Sequence, residues 1–468
     1  MFDLTMTVDG VAAPTHAVFP VEDPATNQIV AEAPECSSSQ LDEAMQAASA
    51  AFHDWQRDRD RRGAALLCLA DKLSENLDVL ADVITTEQGK PLAESRSELS
   101  GTLEELRYFA TLEVPVEIVC DNAEAAVRVL RRPCGPVAAI TPWNFPIATA
   151  ISKIGPALAA GCTMVLKSSP YTPLSCLLLG ELSRDVLPAG VLNVVSGSNQ
   201  VGAWMTEHPV PRMVSFTGSV ATGKRVATAA AGDLKRVVLE LGGNDPAIVL
   251  DDADIETVAE GLFTNTFHNC GQICVAIKRV YAPERLHDEL VEALAARTRA
   301  AKLGDGHLPT TDIGPLCNKM QFDRVGELVS DAVDHGARVV TGGRRLEGAG
   351  YFFEPTIISG VGDGVRIVDE EQFGPVLPVM SYRDLDDAFQ RANDTHFGLG
   401  ASIWTADPER GSAIASGLEA GMVWVNTHQA AVAGQPGGGL KWSGIGVEGG
   451  PWGLISFTDL QVVHVARA

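Results

Sequence analysis

A cysteine that follows a glycine-containing turn is the first residue of this sequence that could perform chemistry. Its segment runs Phe267-His-Asn-Cys-Gly-Gln-Ile-Cys274. A thiol becomes a nucleophile when backbone N–H groups, a helix N-terminus or nearby cations stabilise its thiolate. Cys274 is therefore a candidate nucleophile, although a cysteine in such a segment is more often part of a core.

A carboxylate interrupts an apolar strand upstream of this cysteine. The segment is Arg236-Val-Val-Leu-Glu-Leu-Gly-Gly-Asn-Asp245, in which two glycines closely follow Glu240. Burial of a carboxylate is costly, and it raises the pKa toward the range in which a general base works. Glu240 is thus a candidate base, and a carboxylate facing solvent at the strand end is the alternative.

A third segment, Ile140-Thr-Pro-Trp-Asn-Phe-Pro146, carries an amide in a turn that two prolines brace. The Asn144 amide lies between two aromatic residues, so it could be a rigid hydrogen-bond donor to an oxygen that develops negative charge. A buried structural turn would show the same pattern.

A glycine turn between a strand and a helix is predicted in Ser215-Phe-Thr-Gly-Ser-Val-Ala-Thr-Gly-Lys224. Such a turn presents backbone N–H groups to phosphate. Residues 218–224 nearly match a P-loop, but Arg225 stands where a Ser or Thr should bind magnesium, and no G-x-G-x-x-G follows a strand. The segment predicts a pyrophosphate-binding turn and argues against a nucleoside triphosphatase.

Two series of short apolar runs, separated by helical segments, place these candidates at strand ends. Such runs are typical of parallel strands covered on both faces, so we predict two α/β units, the first a doubly wound dinucleotide domain. The runs span residues 137–140, 163–166, 192–195, 213–216 and 237–241, then 247–250, 280–282, 338–341, 376–380, 401–404 and 422–425. Helical spacing also predicts a helix from Ser39 to Gln56, with a capping box of Ser39 and Asp42.

The overall composition limits the kind of protein that this chain can be. Its 468 residues, 46% hydrophobic and 21% charged, suffice for more than one core. The formal net charge of -24 repels phosphate backbones and anionic lipids, so neither nucleic acid nor a membrane is an expected partner. The nine cysteines include no C-x-x-C pair, so we expect no disulfide framework and no metal site. The first residues lack the features of a signal peptide, which predicts a cytoplasmic protein.

Together these segments closely resemble the aldehyde dehydrogenase superfamily, over essentially the whole chain. The separation of 34 residues (274 minus 240) between Glu240 and Cys274 is also that of the family. The matching motifs, in the order of the family, are Pro142-Trp-Asn-Phe-Pro146, Phe216-Thr-Gly-Ser219, Leu239-Glu-Leu-Gly-Gly243, Gly271-Gln-Ile-Cys274, Glu371-Gln-Phe-Gly-Pro375 and Ser443-Gly-Ile-Gly446. The resemblance implies an α/β fold with a Rossmann-type cofactor domain, an α/β catalytic domain and a small β oligomerisation arm.

The resemblance implies catalytic roles for four residues. Cys274 would attack the aldehyde carbon, while the Asn144 side chain and the Cys274 backbone N–H would hold the oxyanion. After hydride transfer, Glu240 would activate the water that hydrolyses the thioester, with Lys153 near the proton path. Relatives that pass the acyl group to coenzyme A lack a glutamate at this position, so Glu240 favours hydrolysis to a free acid.

The resemblance also implies NAD or NADP as the cofactor. Pro170 stands where many NAD-preferring relatives place a glutamate, so NADP stays possible, although we favour NAD. The implied contacts are Lys167 with the adenosine ribose, Ser219 and the turn around Gly218 and Gly223 with the pyrophosphate, Glu371 and Phe373 with the nicotinamide riboside, and further Thr141, Pro142, Trp143 and Leu241.

The substrate is predicted from the segments that should line the pocket. Residues 145–152, 264–276 and 427–436 contain no Lys or Arg, and a carboxylated aldehyde usually needs such a cation. Gly437 and Ser152 replace bulky residues of many relatives, which suggests a roomier pocket. We therefore predict a neutral, apolar or aromatic aldehyde. The alternatives are a hydrolytic or coenzyme A-acylating semialdehyde dehydrogenase and, from another class, a structural or binding protein that has lost activity.

Three further residues border these segments. His268 and His428 are interpreted as packing or hydrogen-bonding residues rather than catalysts. Cys270 could form a reversible disulfide with Cys274, but we favour a space-filling role.

The resemblance suggests domain boundaries and an oligomer. Strand-like stretches at 114–132 and 454–465 fit neither sheet, and an exposed strand edge can pair with another chain, so a homodimer or homotetramer is expected. The predicted domains are cofactor-binding (residues 1–112 and 133–243), catalytic (244–445), and oligomerisation arm with C-terminal strand (113–132 and 446–468).

Overall fold

Short apolar runs alternate with amphipathic helices, and nearly every run forms a buried strand. A computed structural model describes residues 3–467. The strands are β1 (Met6–Val8), β2 (Val11–Ala13), β3 (Val18–Asp23), β4 (Gln28–Pro34), β5 (Glu117–Asp121), β6 (Ala125–Pro133), β7 (Pro136–Ile140), β8 (Thr163–Lys167), β9 (Leu192–Val195), β10 (Met213–Thr217), β11 (Arg236–Glu240), β12 (Asp245–Val249), β13 (Ile277–Pro283), β14 (Arg338–Thr341), β15 (Thr356–Ser359), β16 (Val376–Tyr382), β17 (Gly400–Trp404), β18 (Met422–Val425), β19 (Gly444–Ile445) and β20 (Thr458–Ala466).

The helices fill the connections between these strands. They are α1 (Ser38–Trp55), α2 (Arg59–Glu75), α3 (Leu77–Gln88), α4 (Leu92–Thr111), α5 (Pro146–Ala160), α6 (Leu174–Ser183), α7 (Asn199–Glu207), α8 (Val220–Ala231), α9 (Ile255–Phe267), α10 (Glu284–Ala300), α11 (Lys319–Asp334), α12 (Arg366–Asp369), α13 (Leu385–Asn393), α14 (Pro408–Ile414) and α15 (Gly450–Ser456), with 3₁₀ turns at His268–Gly271, Ala415–Gly417 and Lys441–Ser443. None of the helices between residues 3 and 467 is both long and apolar enough to span a bilayer.

The first sheet has the strand order β19-β11-β10-β7-β8-β9-β1-β2. Its five central strands are parallel, and each matches a predicted run to within one residue at either end. Side chains alternate between two cores: Val137 and Ala139 face one, and Ala138 faces the other. Helices cover both faces, as the continuous apolar runs predict. The α/β, doubly wound prediction is therefore confirmed.

A second sheet has the order β14-β15-β16-β13-β12-β17-β18 and its own core. The sequence analysis identified six of these strands and missed β15, which has only four residues. Pro355 precedes it and Gly360 follows it, and only Ile357 and Ile358 of its four residues are apolar, so no apolar run stands out from a loop. Here β14 pairs antiparallel with β15, and the remaining pairs are parallel.

A third sheet, β20-β6-β5, contains the two stretches that fitted neither series. The predicted strand-like run at 454–465 is partly wrong, because its first residues belong to α15 and the strand begins at Thr458. Pro451 lies at the start of α15, where its preset φ favours a helix. The short β19 returns to the first sheet and pairs with β11, so residues 444–445 contact the predicted cofactor domain. The domain boundaries themselves stay predictions.

The N-cap of the first helix lies two residues before the predicted N-cap. Ser37 is the N-cap of α1: its side chain accepts from the Gln40 N–H at 3.2 Å, and the Gln40 side chain accepts from the Ser37 N–H. The predicted pair, Ser39 and Asp42, is wrong. A capping box needs Glu or Gln at its third position, and of the serines in this run only Ser37 has one.

A buried ion pair holds the turn between β7 and α5. Lys90 Nζ lies 2.7 Å from Glu98 Oε2, and both side chains are fully buried. Lys90 also donates to the Asn144 carbonyl, at 2.8 Å. The other Glu98 oxygen accepts from the Ile147 and Ala148 N–H groups at the start of α5. This single pair therefore positions both the turn and the helix that follows it.

Candidate active site

Cys274 lies in a loop between a 3₁₀ turn and β13, not at a helix N-terminus. Asn269, Cys270 and Gly271 have φ values of 50°, 56° and 70°, so three successive residues are left-handed. A side chain at Gly271 would collide with the Gly374 carbonyl, so only glycine fits there. This reversal leads to Cys274, a partly exposed residue that follows the buried Gln272 and Ile273.

The protein surroundings of the Cys274 thiol disfavour its ionisation. Burial raises its pKa to about 12, and the positive charge of Lys278 opposes the rise. Lys278 Nζ donates to the Cys274 carbonyl at 2.6 Å and lies 3.6 Å from the Glu371 carboxylate. A nucleophilic Cys274 therefore needs a base or a further positive charge to ionise.

Asn144 is brought to the same loop as Cys274. Its side-chain amide donates to the Gln272 carbonyl at 2.9 Å, and its own carbonyl accepts from the Asn269 side chain at 3.0 Å. The residue is only 5% exposed, so these bonds fix the amide. Its second N–H is free to donate to an oxygen near Cys274, as an oxyanion donor must.

Glu240 ends β11 with a carboxylate oxygen, Oε1, that is buried and has no hydrogen-bond partner within residues 3–467. Burial raises the pKa of Glu240 well above its usual value, the negative charge of Glu448 raises it further, and Lys153 opposes both. The charge of Glu240 also acts on the Cys274 thiol. A carboxylate with these properties can accept a proton at neutral pH.

Glu448 is a site residue that the sequence analysis missed. Its Oε1 lies 2.5 Å from Lys153 Nζ, and its Oε2 accepts from the Ser152 hydroxyl at 3.1 Å. Lys153 donates further to Thr217 Oγ1, at 2.7 Å. Glu448 and Lys153 are 295 residues apart, so no local pattern links them. Ser152, from which we predicted a roomier pocket, thus belongs to a polar cluster with Glu448 and Lys153.

The predicted cofactor residues lie at the carboxyl ends of the first sheet. The chain runs outward from β7 through β8 to β9, then crosses to β10 and β11 on the other side of β7. A ligand of a doubly wound sheet binds in the crevice where this direction switches. The residues at these ends are Thr141, Pro142 and Trp143 after β7, Lys167 in β8, Gly218 and Ser219 after β10, and Leu241 after β11.

The turn after β10 consists of Gly218 and Ser219, and Gly223 lies beyond it. Ser219 is the N-cap of α8, and its side chain accepts from the Thr222 N–H. Gly223 is inside the helix, where a side chain would collide with Leu241. Its role in the structure is therefore to let α8 approach β11. The remaining free N–H groups of the first helical turn can bind phosphate oxygens.

Lys167 is almost completely buried, and its Nζ donates to the Ser168 carbonyl at 2.9 Å. Burial lowers its pKa to about 8, and the charge of Glu35 is the largest effect that opposes this. Both carboxylate oxygens of Glu35 accept from the Ser198 N–H, at 3.0 and 3.1 Å. Glu35 was not predicted, since it lies far from the other motifs in the sequence.

Glu371 and Phe373 reach the site from the second sheet. The Phe373 ring meets Trp143 edge-on at 5.3 Å, and Glu371 Oε1 accepts from the Gly243 N–H at 3.1 Å. A side chain on Gly242 would occupy the position of the Glu371 carboxylate. Together with the free N–H groups of α8, these residues fit a dinucleotide that spans the two sheets.

The remaining predicted residues have structural surroundings. Cys270 is 1% exposed, and no disulfide joins any cysteine in the part of the chain that the structure describes. Burial lowers the pKa of His268 to about 4, and its ring packs edge-on against Phe145. His428 is buried against Trp424, with its Nε2 3.5 Å from Asp245.

Comparison with known proteins places this geometry in a family. The family model described as "Aldehyde dehydrogenase family" matches residues 11–463. The chain is 39% identical to the 3-sulfolactaldehyde dehydrogenase of Pseudomonas putida, covering 97% of this chain and 96% of that protein. It is 39% identical to the NADP(+) succinate-semialdehyde dehydrogenase of Escherichia coli K12, covering 95% and 94%. An aldehyde dehydrogenase from Bacillus cereus, solved with NAD+, matches with a TM-score of 0.97 at 35% identity, covering 99% and 96%. The chain therefore belongs to the aldehyde dehydrogenase family and is an enzyme that oxidises an aldehyde with NAD or NADP.

Proposed function

We propose that Cys274 forms a thioester with the substrate and that Glu240 directs its hydrolysis to a free carboxylic acid. One observation carries the proposal. The Oε1 atom of Glu240 is buried without a partner, at a strand end whose neighbours are the Cys274 loop and the Lys153–Glu448 pair. An uncompensated polar atom of this kind is costly unless it binds water or substrate.

The acylation half of the reaction depends on Cys274 and Asn144. The Cys274 thiol gives up its proton to solvent water, its sulfur attacks the aldehyde carbon, and the free Asn144 N–H stabilises the oxygen as it becomes negative. A bound nicotinamide nucleotide supplies the acceptor for the hydride that leaves the carbon. What remains on Cys274 is a thioester, and the hydrogen bond from Asn144 to the Gln272 carbonyl keeps the amide in place throughout.

The hydrolysis half depends on Glu240. Its carboxylate removes a proton from water, the hydroxide adds to the thioester carbon, and the carbon–sulfur bond then breaks to release the acid and regenerate the Cys274 sulfur. The proton then has a path toward the paired Lys153 and Glu448, whose charges act directly on Glu240. Lys153 is fully buried and is held by Thr217 as well as Glu448, so this path has a fixed geometry.

Replacement of Glu240 should separate the acylation half of the reaction from the hydrolysis half. Glu240→Gln should release one equivalent of reduced cofactor per active site and then turn over about 10²–10⁴-fold more slowly than wild type, because the thioester forms but is not hydrolysed. Stopped-flow absorbance at 340 nm measures both phases. Cys274→Ala is the control and should show no burst. Wild-type turnover that required coenzyme A, or full turnover of Glu240→Gln, would contradict the proposal.

The charges around Glu240 should set the pH dependence of hydrolysis. A base works only when deprotonated, so turnover rises with pH through the pKa of Glu240, which lies above the usual 4.5. Glu448→Gln removes a negative charge and frees Lys153, so it should move the acid limb of kcat to lower pH. Lys153→Met should move it to higher pH. Glu104→Gln, an exposed change on α4, is the matched control. Shifts in the same direction for both active-site variants would disprove the assignment.

The segments that should line the substrate pocket provide no unpaired positive charge. The lining segments 145–152, 264–276 and 427–436 contain no Lys or Arg, and nearby Lys90 and Lys153 are each paired with a carboxylate. Two further carboxylates, Glu94 and Glu105, lie close by, and burial raises the pKa of each to about 7. We therefore infer an aldehyde without an anionic end group.

The relatives favour a second candidate, a semialdehyde. The proteins from Pseudomonas putida and Escherichia coli carry names that specify sulfolactaldehyde and succinate semialdehyde, both of them anionic. The comparisons give no support to the aromatic aldehyde predicted from the sequence. The polar cluster of Ser152, Glu448 and Lys153 also argues against a purely apolar pocket.

The two substrate candidates predict different ratios of kcat/KM between aldehydes with and without a carboxylate. The kcat/KM of hexanal, and of 4-aminobutanal, should exceed that of succinate semialdehyde by at least about tenfold, because an added carboxylate meets like charge without a counter-ion. Glu105→Gln should reduce this difference by raising the kcat/KM of succinate semialdehyde alone. A clear preference of the wild type for succinate semialdehyde would establish the second candidate instead.

The cofactor preference follows from Glu35. Its carboxylate is fixed by the Ser198 N–H and acts on Lys167, the residue implied to hold the adenosine ribose. A 2'-phosphate in this place would meet a negative charge, whereas a 2'-hydroxyl could donate to it. NAD is therefore the preferred cofactor in this proposal, even though Pro170 replaces the usual glutamate.

Removal of the Glu35 charge tests this preference. Glu35→Gln should lower the ratio of kcat/KM for NAD to that for NADP by about tenfold, equivalent to about 1.4 kcal/mol. The exposed Glu32→Gln on β4 is the matched control and should leave the ratio unchanged. A wild type that prefers NADP, or an unchanged ratio in Glu35→Gln, would show that Glu35 does not discriminate between a 2'-hydroxyl and a 2'-phosphate.

The arm of β5, β6 and β20 is the proposed site of self-association. Apolar side chains on these strands are largely exposed, with Ile118 at 66%, Val119 at 66% and Val462 at 64%. Exposed strands with apolar faces favour pairing with another copy. A homodimer or homotetramer formed through this arm stays a prediction, as does the cytoplasmic location.

A further inference from the structure

Two cysteines outside the active site lie within contact of each other. The sulfur atoms of Cys134 and Cys162 are 3.6 Å apart. Cys134 follows β6 and Cys162 precedes β8, so neither belongs to a recognisable motif. They meet because β7 and β8 are parallel neighbours in which Pro136 pairs with Thr163, two residues after Cys134 and one after Cys162.

This placement suits a disulfide. Cysteines that form a disulfide have Cα atoms about 4.4–6.8 Å apart, and two side chains whose sulfurs already lie in contact are compatible with that spacing. The sulfurs would need to approach from 3.6 Å to about 2.05 Å, which a small rotation of two side chains can provide. In the described residues both thiols are free, so the bond is a possible product and not the resting state.

The two thiols differ in their surroundings and in their exposure to solvent. Burial opposes ionisation of Cys162, but hydrogen bonds from the Cys134 side chain and from the Gly135 and Cys134 N–H groups outweigh it, so its pKa is lowered. The charge of Arg62 acts in the same direction. Cys162 is fully buried, whereas Cys134 is partly exposed. Contact between two reduced thiols, one of them partly exposed, is the geometry from which oxidation can form a disulfide.

The pair also joins three parts of the fold. The Phe457 carbonyl accepts from the Cys134 N–H at 3.0 Å and lies 3.3 Å from the Cys162 sulfur. Phe457 directly precedes β20, so the contact links the arm to the first sheet. The pair lies at the amino ends of β7 and β8, whereas the site residues lie at the carboxyl ends, roughly 15 Å away along five residues of strand.

We propose that Cys134 and Cys162 are a site of reversible oxidation, at which a peroxide converts the two thiols into a disulfide that ties the arm to the first sheet. In the reaction with hydrogen peroxide, the two thiols lose two electrons and two protons, one S–S bond forms, the O–O bond breaks and two waters leave. A dithiol reductant reverses the step by thiol–disulfide exchange.

Peptide mapping tests the proposal directly. The full chain, in a Cys274→Ala background that removes the competing thiol, is treated with hydrogen peroxide, alkylated and digested with trypsin. Cleavage after Lys153 separates the two cysteines into peptides 132–153 and 154–167. The expected product is these two peptides joined, 2 Da lighter than their sum and lost on reduction. A Cys68→Ser variant, which removes an exposed thiol, should give the same linked product.

A stability measurement supplies an independent readout. A bridge across the 28 positions from Cys134 to Cys162 restricts the unfolded chain, so the oxidised protein should melt at a higher temperature than the reduced one. Cys134→Ser and Cys162→Ser should each abolish both the linked peptide and this increase. Absence of the linked peptide after peroxide treatment, or a linked product between other cysteines in its place, would overturn the proposal.

Discussion

The buried ion pair of Lys90 and Glu98 is the interaction on which the site depends. It holds the Asn144 carbonyl from one side and the first N–H groups of α5 from the other. Through Asn144 it reaches the Cys274 loop, because the Asn144 amide and the Asn269 side chain bind across the two sheets. Loss of one partner of such a pair typically costs about 3–5 kcal/mol, since a buried charge is left uncompensated. Catalytic geometry in this enzyme therefore rests on a pair that never touches the substrate.

Charge pairing distinguishes the reactive carboxylate from those around it. Glu98, Glu371 and Glu448 each lie beside a lysine, at 2.7, 3.6 and 2.5 Å. Glu240 has no such contact at its Oε1, and it carries the raised pKa that a base in neutral solution requires. Under the proposed function, the same surplus of carboxylates disfavours an anionic aldehyde, so one electrostatic arrangement would bear on both proton transfer and substrate choice.

The two ends of the first sheet carry different chemistry. Parallel strands gather their carboxyl ends at one edge, where the cofactor residues and Glu240 converge. The amino ends gather at the opposite edge, beside the arm, where Cys134 and Cys162 meet. Five residues of strand separate the two edges, so a change in one thiol pair need not disturb the other thiol. The architecture keeps Cys274 apart from Cys134 and Cys162.

Local patterns were sufficient for most of the fold. Continuous apolar runs located eleven of the strands in the two sheets to within a few residues, since a strand buried on both faces must be apolar throughout. They failed for β15, in which only two of four residues are apolar, and for the first residues of the run 454–465, which belong to the helix α15. The cap of α1 was misplaced by two residues, because three successive serines offered more than one start and only Ser37 has Gln40 in the required position.

For the site, the sequence by itself identified the proposed reactive residues, because Cys274, Glu240 and Asn144 each lie in a segment whose local chemistry is unusual. It could not identify Glu448, Glu35 or the Cys134–Cys162 pair, whose partners lie between 28 and 295 residues away. Hydrogen bonds and charges act over a few ångströms of space and are indifferent to distance along the chain. Only the tertiary structure decides which carboxylate has a lysine beside it and which stays unpaired. That decision separates the proposed base from its neighbours.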